Sequence, residues 1–277
     1  MASLTRDEIL ALANSDIRDA IPQETLLPIL SVTPFVTSRS LINIRDVGAV
    51  PGSALPPGLI YRCGALDLAA KDPEAVQWLS GHVKKVFDLR KGPERAVAPD
   101  PEIPGVENVW FETEGQYPTP DLAKFAADSK AAWATQLANA AEMYKPTIRA
   151  VLEHVRDSPK VPFLFHCTAG RDRTGVVAGL LQTLAGTPPE DIVYDYLLSR
   201  IGTEPAREKL LKFAMMSIGI EDVATPGFLD VVSLRAEFWQ AFVEELQRRY
   251  GGWDGYVTKC LGLSEEDLEI IKKNLRS

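Results

Sequence analysis

Residues 161–181, VPFLFHCTAGRDRTGVVAGLL, read as a strand, a tight loop and a helix in immediate succession. VPFLF is a short continuous apolar run, the pattern of a central parallel strand buried on both faces. From Thr174 onward Val176, Val177, Leu180, Leu181 and Leu184 mark one helical face, and Gly186 stops it. In the loop, Cys167 and Arg173 frame five residues, one of them Gly170. Such a loop is suited to an anion. The backbone N–H groups of Thr168, Ala169 and Gly170 can turn inward as a nest, and the following helix points its positive end at the same spot. Gly170 permits the backbone angles of a tight cradle. Arg173 can offer two parallel charge-assisted hydrogen bonds to phosphate oxygens.

The same field favours the thiolate of Cys167. A thiolate there can attack phosphorus and form a phosphocysteine, splitting one difficult step into two easier ones, while nest, helix end and Arg173 stabilise the equatorial oxygens. This chemistry calls for no metal and no cofactor. An inert buried cysteine is the competing reading. A lone C-x5-R arises by accident, but the apolar strand, the HC pair, the internal glycine and RTG entering a helix argue together for the site. His166 reads as a residue that orients the loop. Arg171, a solvated arginine on the simplest reading, is the candidate for a second anionic contact.

The chain of 277 residues is 45% hydrophobic and 25% charged, and can bury a core without staples. A formal net charge of -8 argues against nucleic acid or anionic membrane as general partners, since both reward clustered Lys and Arg. Cys63, Cys167 and Cys260 are too few for a disulfide framework and suggest a reducing compartment. The N-terminal stretch has acids throughout and no long apolar core, and no stretch approaches the roughly 20 apolar residues of a membrane span. A cytoplasmic protein without stable membrane insertion is expected.

Residues 1–40 are expected to form a helical extension packed on a domain of residues 41–277. Short strands are expected at 59–62, 83–89 and 108–111, and helices over 121–157 with Pro146 opening the second. Thr187 and Glu190 suggest a capping box with Pro188 at the first helical position, and Ser264 with Asp267 suggests another cap. Strands separated by helices imply a single α/β domain with helical additions, its central, mostly parallel sheet flanked by helices. The segments 121–145 and 203–245, which include Met215, Met216, Phe228 and Trp239, are candidates for a lid, or simply complete the core.

The loop resembles the signature of the protein tyrosine phosphatase superfamily, and HCTAGRDRTG is similar to the branch with HCxAGKDRTG, which contains tyrosine/serine and phosphoinositide phosphatases. NIRDVG at 43–48, LIYRCGAL at 59–66 and DLRKGPER at 88–95 are similar to that branch's NFRDLGG, LxYRSGAL and DLRxxxE, so the resemblance runs from about residue 41 to the end. It implies the cysteine-phosphatase fold, a phosphocysteine intermediate on Cys167, and a general acid drawn from the loop, Asp172. Asp88 is the competing acid, with a structural partnership to loop arginines as its other reading. The resemblance further implies that the Thr174 hydroxyl eases departure of Cys167, unless Thr174 is only a helix N-cap. Two departures stand out: Arg171 replaces the branch's lysine, and Cys63 replaces its serine. Cys63 is either a small buried side chain or a trap for oxidised Cys167.

The expected substrates are phosphotyrosine proteins, phosphoserine or phosphothreonine proteins, or phosphoinositides. An inositol pyrophosphate is an alternative, as is a phosphate-binding pseudo-enzyme that reads phosphorylated partners. Sulfur transfer of the rhodanese kind has no need of the RTG sequence.

Overall fold

The computed structural model describes residues 4–113, 115 and 118–277. Five strands form one sheet in the order β1-β2-β5-β3-β4: β1 Arg45–Asp46, β2 Ile60–Cys63, β3 Lys85–Asp88, β4 Glu107–Trp110 and β5 Phe163–His166. Among the pairings of these five strands, β1–β2 is antiparallel and the others are parallel. The fold is thus the expected α/β arrangement, and VPFLF supplies its central strand. That strand starts at Phe163, one residue after Pro162, which has no N–H to give a ladder.

Helices α1 Arg6–Ala13 and α2 Gln23–Leu30 precede the sheet, and α3 Pro73–His82 and α4 Gly92–Val97 flank β3 in the chain. Between β4 and β5 lie α5 Leu122–Ala127, α6 Ser129–Met143 and α7 Lys145–Asp157, with Pro146 in the first turn of α7. After β5 come α8 Asp172–Ala185, α9 Pro189–Gly202, α10 Arg207–Ile218, α11 Phe228–Val232, α12 Ala236–Tyr250 and a C-terminal helix Glu265–Leu275. Among the described residues no helix is long and apolar enough to cross a membrane.

Strand β5 feeds two cores by alternation. Phe163 and Phe165 join the large cluster with α6, α7, α8, α9 and α12, whereas Leu164 joins a smaller one with Leu79, Val86 and Cys63. Helix α8 is buried nearly all round rather than along one stripe, because it lies against α6, α9 and the C-terminal helix as well as the sheet. Its Gly179 is dictated by that crowding: a Cβ there would stand 2.2 Å from the Trp239 ring. Gly186, at φ 92°, ends the helix as expected. The Ser264–Asp267 capping box is present.

Thr187 does not cap α9. The cap is Pro188, the first helical residue is Pro189, and the Thr187 hydroxyl accepts instead from the Ala54 N–H at 2.9 Å. Two successive prolines move the helix start by one residue and leave the threonine free for a tertiary contact.

The register sets His166 between Cys63 of β2 and Asp88 of β3. The carboxyl ends of three parallel strands therefore meet where the chain leaves β5, and neighbours distant in sequence flank it on both sides. Open α/β sheets offer their binding crevice at such a switch point, and the loop at 167–171 occupies it.

Candidate active site

The loop is held by its carbonyls. Asn43 Nδ2 and Arg62 Nη2 donate to the Gly170 carbonyl at 2.8 and 2.9 Å, and the Ala65 N–H donates to that of Thr168 at 3.1 Å. Among the described residues no protein acceptor takes the N–H groups of residues 168–171. Successive N–H groups with no such acceptor, in a half-buried loop beside a buried cysteine, are the donors an anion nest requires. Gly170 is required twice over: its φ is 67°, and a Cβ would meet the Cys63 carbonyl at 2.4 Å.

Beneath the loop, Arg45 and Arg62 share one carboxylate. Asp195 of α9 takes Arg45 Nε at 2.7 Å and Arg62 Nη1 at 2.6 Å, with all three side chains at most 1% exposed. Burial and the neighbouring Arg62 push Arg45 down to about 10, against the pull of Asp195. Arg45 Nη2 also reaches the Ser199 hydroxyl at 2.9 Å. Arg45 thus braces the site from below.

Cys167 is 3% exposed, in the large apolar cluster on the face of the sheet opposite that of Cys63, whose thiol donates to the Gly64 carbonyl at 3.0 Å. Burial pushes the Cys63 thiol well up, and Cys63 is the small buried side chain of the simpler reading.

Arg173 enters the site in a rigid fork. Its two terminal nitrogens bind both oxygens of Glu94 at 2.7 and 2.8 Å, and Nη1 also donates to the Leu89 carbonyl at 3.0 Å and the Tyr144 hydroxyl at 3.2 Å. Glu94 further accepts from the Thr168 hydroxyl at 2.5 Å. Burial opposes its charge, but Arg173 and Thr168 outweigh that and hold the carboxyl at about 2. Sequence reasoning did not single out Glu94, although it stands in DLRKGPER; the glutamate is what aims the arginine.

His166 is fully buried, with Nε2 2.9 Å from Asp100 Oδ2 and Nδ1 3.4 Å from the Cys167 carbonyl. Burial alone would lower its pKa, but the charges of Asp100 and Asp88 raise it. The imidazole lies within a buried network with Asp88, Asp100 and Arg90 at the foot of the loop. Asp88, 3% exposed, binds Arg90 and Arg95, each at 2.9 Å, and Asp100 also binds Arg90. Asp88, Asp100 and His166 place one ligand atom each within 4.8 Å of one another, yet their carboxylates are already taken by guanidinium groups, a poor fit for a metal ion.

A cavity of about 200 Å³ opens over the loop. Asp172, the first residue of α8, lines it, and its buried Oδ1 accepts no hydrogen bond among the described residues; the Arg171 guanidinium lies 3.9 Å away. Asp88 does not line this cavity. Arg171 does, but its guanidinium donates to the Val232 and Ser233 carbonyls at 2.7 and 3.3 Å, which gives the charge a structural task. Thr174 is fully buried, is the third residue of α8 rather than its N-cap, and its hydroxyl has no partner among the described residues. His82 stacks on Trp78 and His154 packs on Phe87 and Phe163, both away from the site.

The loop thus brings Cys167, Asp172 and the clamped Arg173 to one cavity. Residues 36–277 match the tyrosine phosphatase family, and the chain belongs to that family. It is 34% identical over 132 residues to a tyrosine-protein phosphatase of Nostoc commune, a match covering 47% of this chain and 45% of that protein. It is 27% identical over 269 residues to the triple specificity protein phosphatase of Mycobacterium tuberculosis, covering 83% of this chain and 95% of that protein.

Proposed function

We propose that the protein hydrolyses phosphate monoesters through a phosphocysteine on Cys167, with phosphotyrosine as its preferred substrate. The observation that carries this reading is the cradle: N–H groups of residues 168–171 without acceptors among the described residues, in the loop that follows Cys167 and leads to a clamped Arg173. The Cys167 thiolate attacks phosphorus as the phosphorus–oxygen ester bond breaks, and Asp172 gives its proton to the leaving oxygen. Water then attacks the phosphocysteine, Asp172 takes its proton, and the sulfur–phosphorus bond breaks. The Thr174 hydroxyl, without a partner among the described residues, turns towards the departing sulfur. Open N–H groups and Arg173 hold the charge of both transition states.

Preference for an aryl ester rests on the cavity wall, where Trp133, Leu210, Leu211, Phe213 and Val232 present apolar surface. Arg171 and Arg207, the wall's cations apart from Arg173, are both engaged with backbone carbonyls. Phosphoinositides and inositol pyrophosphates carry further charge, and much of the donor capacity of Arg171 and Arg207 is already spent on these carbonyls. Phosphoserine is short for a site whose wall is built to meet a ring.

Phosphate release from phosphotyrosine and phosphoserine peptides, phosphoinositides and an inositol pyrophosphate, with EDTA present, tests this. Fastest release from phosphotyrosine is expected, and none by Cys167→Ser. A faster inositol pyrophosphate would overturn the substrate assignment, and binding without release would make the protein a reader of phosphate rather than an enzyme.

A further inference from the structure

Residues 4–35 precede the stretch that matches the family, yet one of them reaches the substrate cavity. Ile17, in the segment joining α1 to α2, is 6% exposed and lines that cavity together with Cys167, Ala169 and Arg173. It packs in a small apolar cluster with Phe228 and Val232, bordered by Leu211, Ala214 and Ile218 of α10.

A polar clamp fixes the segment. Arg200 donates to the Asp19 carbonyl at 2.9 Å and the Asp16 carbonyl at 3.4 Å, and the Ile21 N–H donates to Glu204 Oε1 at 2.9 Å. Arg207 donates to the carbonyls of Ile17 and Arg18, each at 3.3 Å. Arg200 also pairs with Glu204, and both are buried. Buried charges must be hydrogen-bonded to be tolerated. Here the backbone of residues 16–21 provides several of those bonds, so the coil has one docked position and Ile17 is delivered to the wall.

We infer that Ile17 is a specificity-determining residue that receives the aromatic ring next to the phosphate. The phosphate itself is served by the loop and Arg173. Ile17 has no polar side-chain atom, so its contribution falls on the leaving group alone. The inference deepens the phosphatase reading and rests on it, but its test does not require turnover.

The test uses the full chain and two probes that cannot be hydrolysed: phenylphosphonate, which carries ring and head group, and inorganic phosphate, which carries the head group alone. Dissociation constants from NMR titration of wild type, Ile17→Val and Ile17→Ala give a phenylphosphonate-to-phosphate ratio for each. Trimming a hydrophobic pocket by a methylene or more costs a factor of ten upward when the contact is full. For a wall residue the ratio is expected to rise about 2-fold in Ile17→Val and about 5- to 10-fold in Ile17→Ala, with phosphate binding unchanged. Should Ile17→Ala fail to fold, the valine variant still reports the ratio. Equal weakening of both probes, or no change in either, would overturn the inference and make Ile17 a structural prop. Wild-type hydrolysis of an aryl phosphate, measured alongside, separates the two readings. Its absence with the ring effect intact would sink the phosphatase reading and leave Ile17 assigned.

Discussion

The floor and the wall of the site are built from opposite materials. Under the loop, Arg45, Arg62 and Asp195 are wholly buried and locked by short ion pairs. Along the wall, α10 has no buried residue, Phe213 is 45% exposed and Met216 is 82% exposed. A floor made of buried, paired charges strongly favours one arrangement, because a displacement leaves an ion unpaired. A wall made of half-buried apolar side chains can shift at small cost. On the proposed mechanism the groups that meet the phosphate sit in the loop that this floor braces, and contacts that differ between substrates fall on the wall.

Removing the shared carboxylate should break the floor. Asp195→Asn leaves two buried guanidinium groups without a counter-charge, and a loss of about 3–5 kcal/mol in denaturant unfolding is expected. A loss below 1 kcal/mol would mean that water reaches the floor. Next in size is the acid. Asp172→Asn should lower kcat about 100-fold on an alkyl phosphate and less on an ester with a good leaving group. Asp88→Asn, which breaks pairs to Arg90 and Arg95, should instead show its main effect in stability. The opposite pattern would move the acid to Asp88.

Acid should loosen the hold on Arg173. The folded pKa of Glu94 is about 2 against an ordinary 4.5. Its contribution to stability is therefore complete above the unfolded value and is lost as the pH falls from about 4.5 towards 2. In Glu94→Gln the part of the stability profile due to this group should flatten over that window; an unchanged slope would count against the pair. On the wall, Met216→Lys should change stability by no more than about 0.5 kcal/mol. A larger loss would show that the exposed side of α10 is covered in solution.

Local pattern made the Cys167 loop and its strand legible, because strand, loop and helix are consecutive in the chain. The strand read at 161–165 and found at Phe163–His166, the glycine at 170 and the helix stop at Gly186 all needed only neighbours in sequence. Glu94, Asp100, Tyr144 and Asp195 were not legible as parts of the site, since each meets its partner through tertiary packing; Glu94 reaches Arg173 from 79 positions away. Thr187 shows the same limit, its hydroxyl drawn to Ala54 rather than to its own helix. So does Arg171, whose carbonyl partners lie 61 and 62 positions away. Burial of Cys63 on the opposite face follows from alternation along β2, but only once the sheet order is known.

The most direct test is to quench the protein in denaturant during turnover of an aryl phosphate and map phosphoryl groups by mass spectrometry. The expected result is one phosphoryl group on the peptide containing Cys167, absent from Cys167→Ser, which should also release no phosphate. Phosphate release by Cys167→Ser, or turnover with the phosphoryl group on another residue, would contradict cysteine catalysis at this loop.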